Sequence, residues 1–279
     1  MSDHTQANHT ADHAPGPQPG ATDVARALLR AEGIGISFGG LKAVQGLSLA
    51  VPPGGLDGLI GPNGAGKTTA FNLLTGVYRA QTGSITLDGR RIDGLRPHQI
   101  AKAGMARTFQ NIRLFGNLSV LDNVRLGAHV RGRHTLVGTL FRTPAYIAQE
   151  RAILARARQL LGVFNLLSRA DEPAKSLPYG DQRRLEIARA LATEPKLLLL
   201  DEPAAGMNPQ EKRDLARTIQ RLRREFGVGV LLIEHDMGLV MDICERITVL
   251  DHGEVICHGV PAHVQNDPKV IEAYLGEPG

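Results

Sequence analysis

This sequence of 279 residues has no long apolar run, only two cysteines and no strong excess of one charge. No apolar stretch approaches the roughly 18 residues that a membrane-spanning helix requires. The first twenty residues also contain no apolar core of a signal peptide. We therefore expect the chain to stay in the cytosol, where a partner can still hold it against a membrane.

The cysteines do not indicate a metal site or a redox motif, and the charge balance does not indicate a nucleic-acid-binding protein. Cys244 and Cys257 form no CxxC pair and have no metal-ligand spacing, so we interpret them as reduced thiols of a cytosolic core. The 32 basic and 28 acidic residues give a formal charge of only +4, which does not indicate a nucleic-acid partner. Hydrophobic residues make up 42% of the chain, which is typical of a globular protein.

Regular apolar patterns begin only after the first part of the chain. Residues 1–24 are rich in His, Ala, Pro, Gly and Thr, which predicts a disordered extension. The segments that alternate or run apolar like strands are 34–38, 47–51, 56–60, 84–87, 196–200, 229–233, 247–250 and 255–257. The predicted helices are 67–75, 148–161, 181–193 and 210–225, and the stretch 111–180 is mostly helical in pattern. This alternation favours an α/β fold with a largely parallel sheet covered on both faces.

A glycine-rich loop stands between a predicted strand and a predicted helix. The pattern G-x-x-x-x-G-K-[ST] is matched in full by Gly61, Pro62, Asn63, Gly64, Ala65, Gly66, Lys67 and Thr68. Glycines let the backbone wrap a phosphate, and successive N–H groups at a helix N-terminus face the anion. Lys67 is predicted to reach the outer phosphates and Thr68 to ligate Mg²⁺, with Thr69 also in the nucleotide site. The alternative is a chance glycine-rich turn.

A second apolar strand ends in two acids. The strand is segment 196–200, and Asp201 and Glu202 follow it. Ligands of an open α/β sheet bind at the carboxyl ends of its strands. Asp201 is therefore predicted to hold Mg²⁺, and Glu202 to orient or deprotonate the attacking water. The alternative is a strand followed by an acidic helix cap.

Four segments resemble motifs of the ATP-binding-cassette (ABC) ATPases, in the family's order. They are 107–110, similar to the glutamine loop; 177–190, similar to the signature; 201–209, similar to the acidic strand and its loop; and 232–237, similar to the switch histidine segment. The resemblance covers about residues 26–276. Segments similar to the subfamily of bacterial branched-chain amino acid importers are 38–44, 177–184, 204–209 and 274–277.

This resemblance implies a fold and a division of the chain. The implied fold is an ABC cassette with a mostly parallel central sheet, an N-terminal antiparallel β portion and an inserted helical subdomain. The implied ATPase domain is 25–279, made of a phosphate-loop core at 25–110, a helical subdomain at 111–180 and the second part of the core at 181–279.

The resemblance also implies residue roles. Two cassettes pack head to tail, with ATP between the phosphate loop of one and the signature of the other. The implied signature residues are Tyr179, Gly180 and Asp181. Gln110 is implied to sense Mg²⁺ and the attacking water, and His235 to contact the γ-phosphate. Phe38 would stack on adenine, with a core aromatic as the alternative interpretation.

Three residues depart from the family pattern. Pro178 stands where Ser is common, which removes a hydroxyl and an N–H from the expected contact with the partner's γ-phosphate. Gly180 and the following helix N-terminus can still face that anion. Asp181 stands where Gln is usual, and we expect it to cap the helix rather than to contact ATP. Asn208 replaces Asp, which we expect to alter communication across the dimer.

Three functions are compatible with these motifs. The first is the ATPase of an importer, lying on the cytoplasmic side of the bacterial plasma membrane. Its implied partners are two integral-membrane permeases, a second cassette or a second copy of this chain, and indirectly an external solute-binding protein. The helical subdomain would supply the groove for a permease helix. The second is an exporter subunit for lipid or lipopolysaccharide. The third is a soluble ATPase acting on nucleic acid or ribosomes, which the single phosphate loop and the mild charge disfavour.

Overall fold

The computed structural model describes residues 27–130 and 143–275. Its strands are β1 Leu29–Phe38, β2 Leu41–Val51, β3 Leu56–Ile60, β4 Thr82–Leu87, β5 Arg90–Arg91, β6 Met105–Arg107, β7 Leu197–Asp201, β8 Gly229–Ile233, β9 Arg246–Asp251 and β10 Glu254–Gly259. Its helices are α1 Lys67–Leu74, α2 Pro97–Ala103, α3 Val120–His129, α4 Pro144–Val163, α5 Tyr179–Leu191, α6 Pro209–Phe226, α7 Met237–Ile243, α8 Pro261–Gln265 and α9 Pro268–Leu275. The predicted disordered extension at 1–24 lies outside the described residues.

The central sheet has six strands in the order β10-β9-β3-β8-β7-β6. All of its pairings are parallel except that of β9 with β10. Every residue of β3, β7 and β8 is buried, because helices or the second sheet cover both faces. This explains why these strands are continuous apolar runs, and it confirms the predicted largely parallel sheet.

The second sheet is antiparallel, in the order β2-β1-β4-β5. Its first two strands are longer than predicted, since β1 begins at Leu29 and β2 at Leu41. The register shifts between Ala31 and Ile34, and Gly33 has a φ of 58°. Such a bulge interrupts the alternation of apolar residues that the prediction followed.

The predicted hairpin is confirmed at β9 and β10. Asp251 pairs with Glu254, so His252 and Gly253 alone form the turn. Their φ values are 45° and 82°. Positive φ at both central residues matches the right-handed twist of the flanking strands.

Helices occupy most of the described part of residues 111–180. Helix α3 packs against α4 and α5, and two 3₁₀ turns follow at Leu167–Arg169 and Ala174–Ser176. Helix α4 begins four residues earlier than predicted, because the Thr143 side chain caps it and Pro144 occupies its first position. None of the helices in the described ranges is long and apolar enough to span a bilayer.

The central sheet separates two apolar clusters. One lies beneath the antiparallel sheet and around α1, with Phe71 wholly buried in it. The other holds the inward faces of α3 to α7, with Phe164 almost wholly buried in it. Both cysteines are buried and unpaired with each other, as predicted. Burial raises the pKa of the Cys257 thiol to about 11, so that thiol stays protonated at neutral pH.

Candidate functional site

The phosphate loop joins β3 to α1, and its backbone requires glycine at two positions. Gly61 has a φ of 152°, and a Cβ there would lie 2.0 Å from the carbonyl oxygen of Leu250. Gly66 has a φ of 99°, and its Cβ would lie 2.4 Å from the carbonyl oxygen of Ala43. Gly66 is also the N-cap of α1. The loop therefore packs closely against neighbouring backbone while its N–H groups lead into a helix N-terminus.

Lys67 is the buried cation of this loop. Its Nζ donates to the carbonyl oxygens of Gly61 at 2.6 Å and Pro62 at 2.8 Å. Burial lowers the pKa of Lys67, and the nearby carboxylates of Glu202 and Asp201 act in the opposite direction. The ammonium and both carboxylates therefore share one site.

The other loop residues line the mouth of this site. Asn63, Gly64 and Thr68 are exposed, Thr69 is half-buried, and Ala65 is buried. The Thr68 hydroxyl lies in the first turn of α1. The predicted nucleotide-binding residues are thus brought together, with the polar ones open to solvent.

Asp201, the last residue of β7, is held by residues of other elements. Its Oδ2 accepts from Arg107 Nη2 at 2.6 Å, and its backbone N–H donates to the Thr108 hydroxyl at 3.3 Å. Arg107 also donates to the side chain of Asn72 in α1 at 2.8 Å and to that of Thr75, the C-cap of α1, at 3.2 Å. Arg107 thus connects the helix of the phosphate loop to the acidic strand. Arg107 is the first residue of segment 107–110, and its sequence context predicted no role for it.

Glu202 meets two of the predicted catalytic residues. Its Oε2 accepts from Gln110 Nε2 at 2.8 Å and lies 3.8 Å from His235 Nδ1. Glu202 has a φ of 46°, and its N–H donates to the Ile233 carbonyl at 2.9 Å. A non-glycine residue in this left-handed region stores strain. Here the strained backbone directs the carboxylate towards Gln110 and His235.

Glu234 is a further acid of this region that the sequence analysis gave no role. It is buried, and its Oε1 accepts from the N–H of Ala204 at 2.8 Å. Burial raises the pKa of Glu234. Its position just after β8 repeats that of Glu202 just after β7, because Asp201 pairs with Ile233, and that repetition was the available signal. Glu234 fixes the loop after Glu202 to the loop that carries His235.

Phe38 is exposed at the end of β1, so the core alternative is wrong. Its side chain is 45% exposed, and its ring makes an edge contact with Tyr78 at a centroid distance of 5.2 Å. The two rings form an aromatic surface.

The signature residues stand at the start of α5. Tyr179 is exposed, whereas Gly180 is buried, and a Cβ on Gly180 would lie 3.1 Å from Glu211 Oε1. Asp181 accepts from Arg169 Nη1 at 2.9 Å and lies 3.2 Å from Arg184 Nη2. The expectation that Asp181 caps the helix is wrong. Pro178 is the N-cap, which places Asp181 inside the first turn, where the two arginines neutralise it.

Asn208, the third departure, caps α6. Its side-chain oxygen accepts from the N–H groups of Gln210 at 2.9 Å and Glu211 at 3.0 Å. Glu211 returns a bond by accepting from the Asn208 N–H at 2.9 Å. This reciprocal pattern is a capping box, so within the chain Asn208 stabilises a helix start. Its expected effect across a dimer stays a prediction.

An apolar groove of about 490 Å³ lies between the core and the helical region. Residues of α2, β6, α3 and α5 line it, among them Ile100, Met105, Leu126, Glu186 and Arg189. Phe115 lies at its edge, exposed, with Arg189 over its ring at 5.6 Å. Burial lowers the pKa of Arg189, because the groove removes water from its guanidinium.

This arrangement can bind a phosphate group and activate a water molecule beside it. Glycine N–H groups, a helix N-terminus and Lys67 provide positive charge for phosphates. Glu202, beside an amide donor and an imidazole, can accept a proton from a water. The predicted residues of the phosphate loop and of the acidic strand converge here, while Tyr179 to Asp181 stand at the start of another helix.

Comparisons with known proteins match this geometry. The profile of the family described as ABC transporter matches residues 44–205, and one described as branched-chain amino acid ATP-binding cassette transporter matches residues 254–279. The high-affinity branched-chain amino acid transport ATP-binding protein BraF of Pseudomonas aeruginosa is 47% identical over 254 residues, which are 91% of this chain and 100% of that protein. The lipopolysaccharide export system ATP-binding protein LptB of Escherichia coli is 36% identical over 251 residues, which are 90% of this chain and 98% of that protein.

A solved structure agrees with the fold. The ADP conformation of MJ1267, an ATP-binding cassette of an ABC transporter, superposes with a TM-score of 0.79 at 32% identity. The match covers 90% of this chain and 99% of MJ1267. Both chains therefore share the cassette architecture over nearly their whole length.

Proposed function

This chain belongs to the ABC transporter family as one of its ATPase cassettes, and we propose that it powers an importer of branched-chain amino acids. The observation that carries the catalytic part is the meeting of Gln110, Glu202 and His235 beside the phosphate loop. The solute class rests on the 47% identity to BraF and on the match of residues 254–279. The lower identity of 36% to LptB disfavours the exporter alternative.

Nucleotide binding falls to the phosphate loop. The backbone N–H groups of residues 61–66 and the N-terminus of α1 would hold the phosphates of ATP. Lys67 would transfer its hydrogen bonds from the carbonyls of Gly61 and Pro62 to the outer phosphates. Phe38, which is exposed beside Tyr78, would stack on adenine.

The donor set suits Mg²⁺, which prefers oxygen ligands. Thr68, Asp201 and Gln110 offer a hydroxyl, a carboxylate and an amide oxygen. Arg107 engages Oδ2 of Asp201, so Oδ1 is the atom that we assign to the metal. When bound, Mg²⁺ neutralises charge that develops on the transferred phosphoryl group.

Hydrolysis is assigned to Glu202 as general base. Gln110 donates to its Oε2 and would orient both the carboxylate and the attacking water. His235 lies 3.8 Å from the same oxygen and is 57% exposed, so its ring is free to reach the γ-phosphate. The proton leaves the water for Glu202 as the water attacks the γ-phosphorus, the bond from that phosphorus to the bridging oxygen breaks, and ADP and inorganic phosphate are released.

A second cassette, or a second copy, would complete the site with its signature. Gly180 and the N-terminus of α5 would face the γ-phosphate of the opposite cassette. Asp181 is occupied by Arg169 and Arg184, which keeps its charge from repelling that phosphate. Tyr179 is exposed and would lie in the same interface.

The groove is the proposed docking site for a helix of a permease subunit. Its apolar lining and the edge residue Phe115 would bind an apolar helix face, and Arg189 would bind an acidic residue or a helix C-terminus. Two integral-membrane permeases would hold the chain on the cytoplasmic side of the plasma membrane. An external solute-binding protein would act through them, and no nucleic acid takes part.

A pull-down of the full-length chain from host membranes in mild detergent tests this proposal. We expect two permease-like subunits and a second cassette ATPase among the bound proteins. Leu126→Asp in the groove should abolish recovery of the permeases, whereas Val260→Asp, at an exposed position outside it, should leave recovery unchanged. Recovery of only soluble proteins or nucleic acid would overturn the transport proposal. Recovery of an export complex would favour the alternative.

A further inference from the structure

Arg183 is a wholly buried cation in α5, at the fifth position of that helix. Its guanidinium donates to the carbonyl oxygens of Phe109 at 2.5 Å and Gln110 at 2.6 Å. It also donates to Glu186 Oε2 at 2.8 Å and to the Tyr179 hydroxyl at 3.3 Å. A buried charge is costly unless it is paired and hydrogen-bonded. Arg183 therefore depends on the loop that carries Gln110.

Glu186 fixes the same loop from its other end. One turn further along α5, its Oε1 accepts from the Arg113 N–H at 3.2 Å. The pair thus binds three backbone groups between residues 109 and 113. The guanidinium groups of Arg107 and Arg113 also lie over the Phe109 ring, 5.1 Å and 4.2 Å from its centroid. The loop is held by α5 at both ends, and its aromatic ring contacts two cations.

The held loop reaches the proposed base. Gln110 has its carbonyl on Arg183 and its side-chain amide on Glu202. One residue therefore joins the helix that begins with the signature to the carboxylate proposed for hydrolysis. A shift of α5 relative to the central sheet must move the Gln110 carbonyl, or break two charge-assisted hydrogen bonds.

We infer that Arg183 and Glu186 are positioning residues that place Gln110 against Glu202 and transmit the position of α5 to it. This inference rests on the proposed hydrolysis of ATP by Glu202. The pair differs from an ordinary helical ion pair such as Asp214 with Arg217 on α6, which has the same spacing but is largely exposed. Exposed ion pairs contribute little to the stability of the fold. Arg183, in contrast, donates hydrogen bonds to another segment of the chain.

Arg183→Lys in the full-length chain is the first test. A lysine keeps the charge but lacks the planar fork that bonds two carbonyls and a carboxylate together. We expect kcat for ATP hydrolysis to fall roughly 3- to 30-fold with the Kd for ATP unchanged. Hydrogen exchange at the amides of residues 110–113 should become faster. Arg217→Lys is the matched control and should change neither quantity.

A double variant separates positioning from general stability. Because Arg183 acts through Gln110, Arg183→Lys should lower kcat little further in a Gln110→Ala background. A full additional loss in that background would overturn the inference, as would an unchanged kcat in the single variant. If Arg183→Lys fails to fold, the nearly isosteric Glu186→Gln replaces it and is measured alone and together with Gln110→Ala. If Gln110→Ala alone leaves hydrolysis unchanged, the proposed catalytic site fails instead.

Discussion

Two helix N-termini of this cassette are proposed to hold phosphate, and they differ in charge. Helix α1 begins after Gly66 and α5 after Pro178, and neither of these N-cap residues has a polar side chain. Both ends therefore leave N–H groups for an anion. The first turn of α1 carries Lys67, whereas the first turn of α5 carries Asp181. The N-terminus of α1 is therefore positively charged, whereas that of α5 is nearly neutral.

This difference assigns the two ends different tasks. The end with Lys67 supplies a buried cation and would bind ATP within one chain. At the N-terminus of α5, Arg169 and Arg184 neutralise Asp181. This N-terminus would therefore contact ATP that the opposite cassette has already bound. ATP affinity should therefore depend mainly on α1, and association between cassettes on α5.

Among changes at these two helix N-termini, replacing Lys67 should have the largest effect. Lys67→Ala removes a charge-assisted contact to phosphate, so the Kd for ATP should rise about 10- to 100-fold. Fluorescence titration with an ATP analogue measures it, and Lys102→Ala in α2 is the control. Unchanged affinity would remove Lys67 from the site and erase the contrast between the two ends.

Restoring a hydroxyl at the start of α5 should have a smaller effect in the opposite direction. Pro178→Ser adds a donor at the N-cap of α5, so ATP-driven association with the second cassette should tighten about 2- to 10-fold. Analytical ultracentrifugation with ATP measures it. No change would mean that the backbone N–H groups of α5 suffice.

Removing one of the neutralising arginines should have the smallest effect. Arg169→Gln leaves Asp181 with Arg184 alone, so association should weaken about 2- to 5-fold at low salt. Arg221→Gln, in an exposed pair with Glu225 on α6, is the control. High salt should remove the difference in association between the variant and the wild type. Equal association of the two at low salt would mean that Asp181 does not face the partner's nucleotide.

The same contrast separates what the sequence predicts from what it does not. Gly61, Gly66 and Lys67 lie within seven residues, so their pattern alone predicts the loop. The buried strands β3, β7 and β8 are likewise visible as apolar runs. These features depend on local backbone and on burial, which a sequence displays directly.

The surroundings of the signature depend on residues that are distant in the chain. Arg169 lies twelve residues before Asp181, and Arg183 bonds to a loop more than seventy residues away. Arg107 bonds to Asp201 across 94 positions. No local pattern marks such partners, which is why the prediction of Asp181 as a cap is wrong and why no role could be predicted for Arg107.

The catalytic role of Glu202 is tested most directly by measuring ATP affinity and single-turnover hydrolysis together in Glu202→Gln, with Glu225→Gln as the control. We expect a Kd close to that of the wild type and hydrolysis slowed about 10²- to 10⁴-fold, as loss of a general base requires. The isosteric amide keeps the side chain's shape but cannot accept the proton of water. Near-normal hydrolysis by this variant would contradict the assignment of Glu202, and with it the view that Gln110, Glu202 and His235 form the catalytic site.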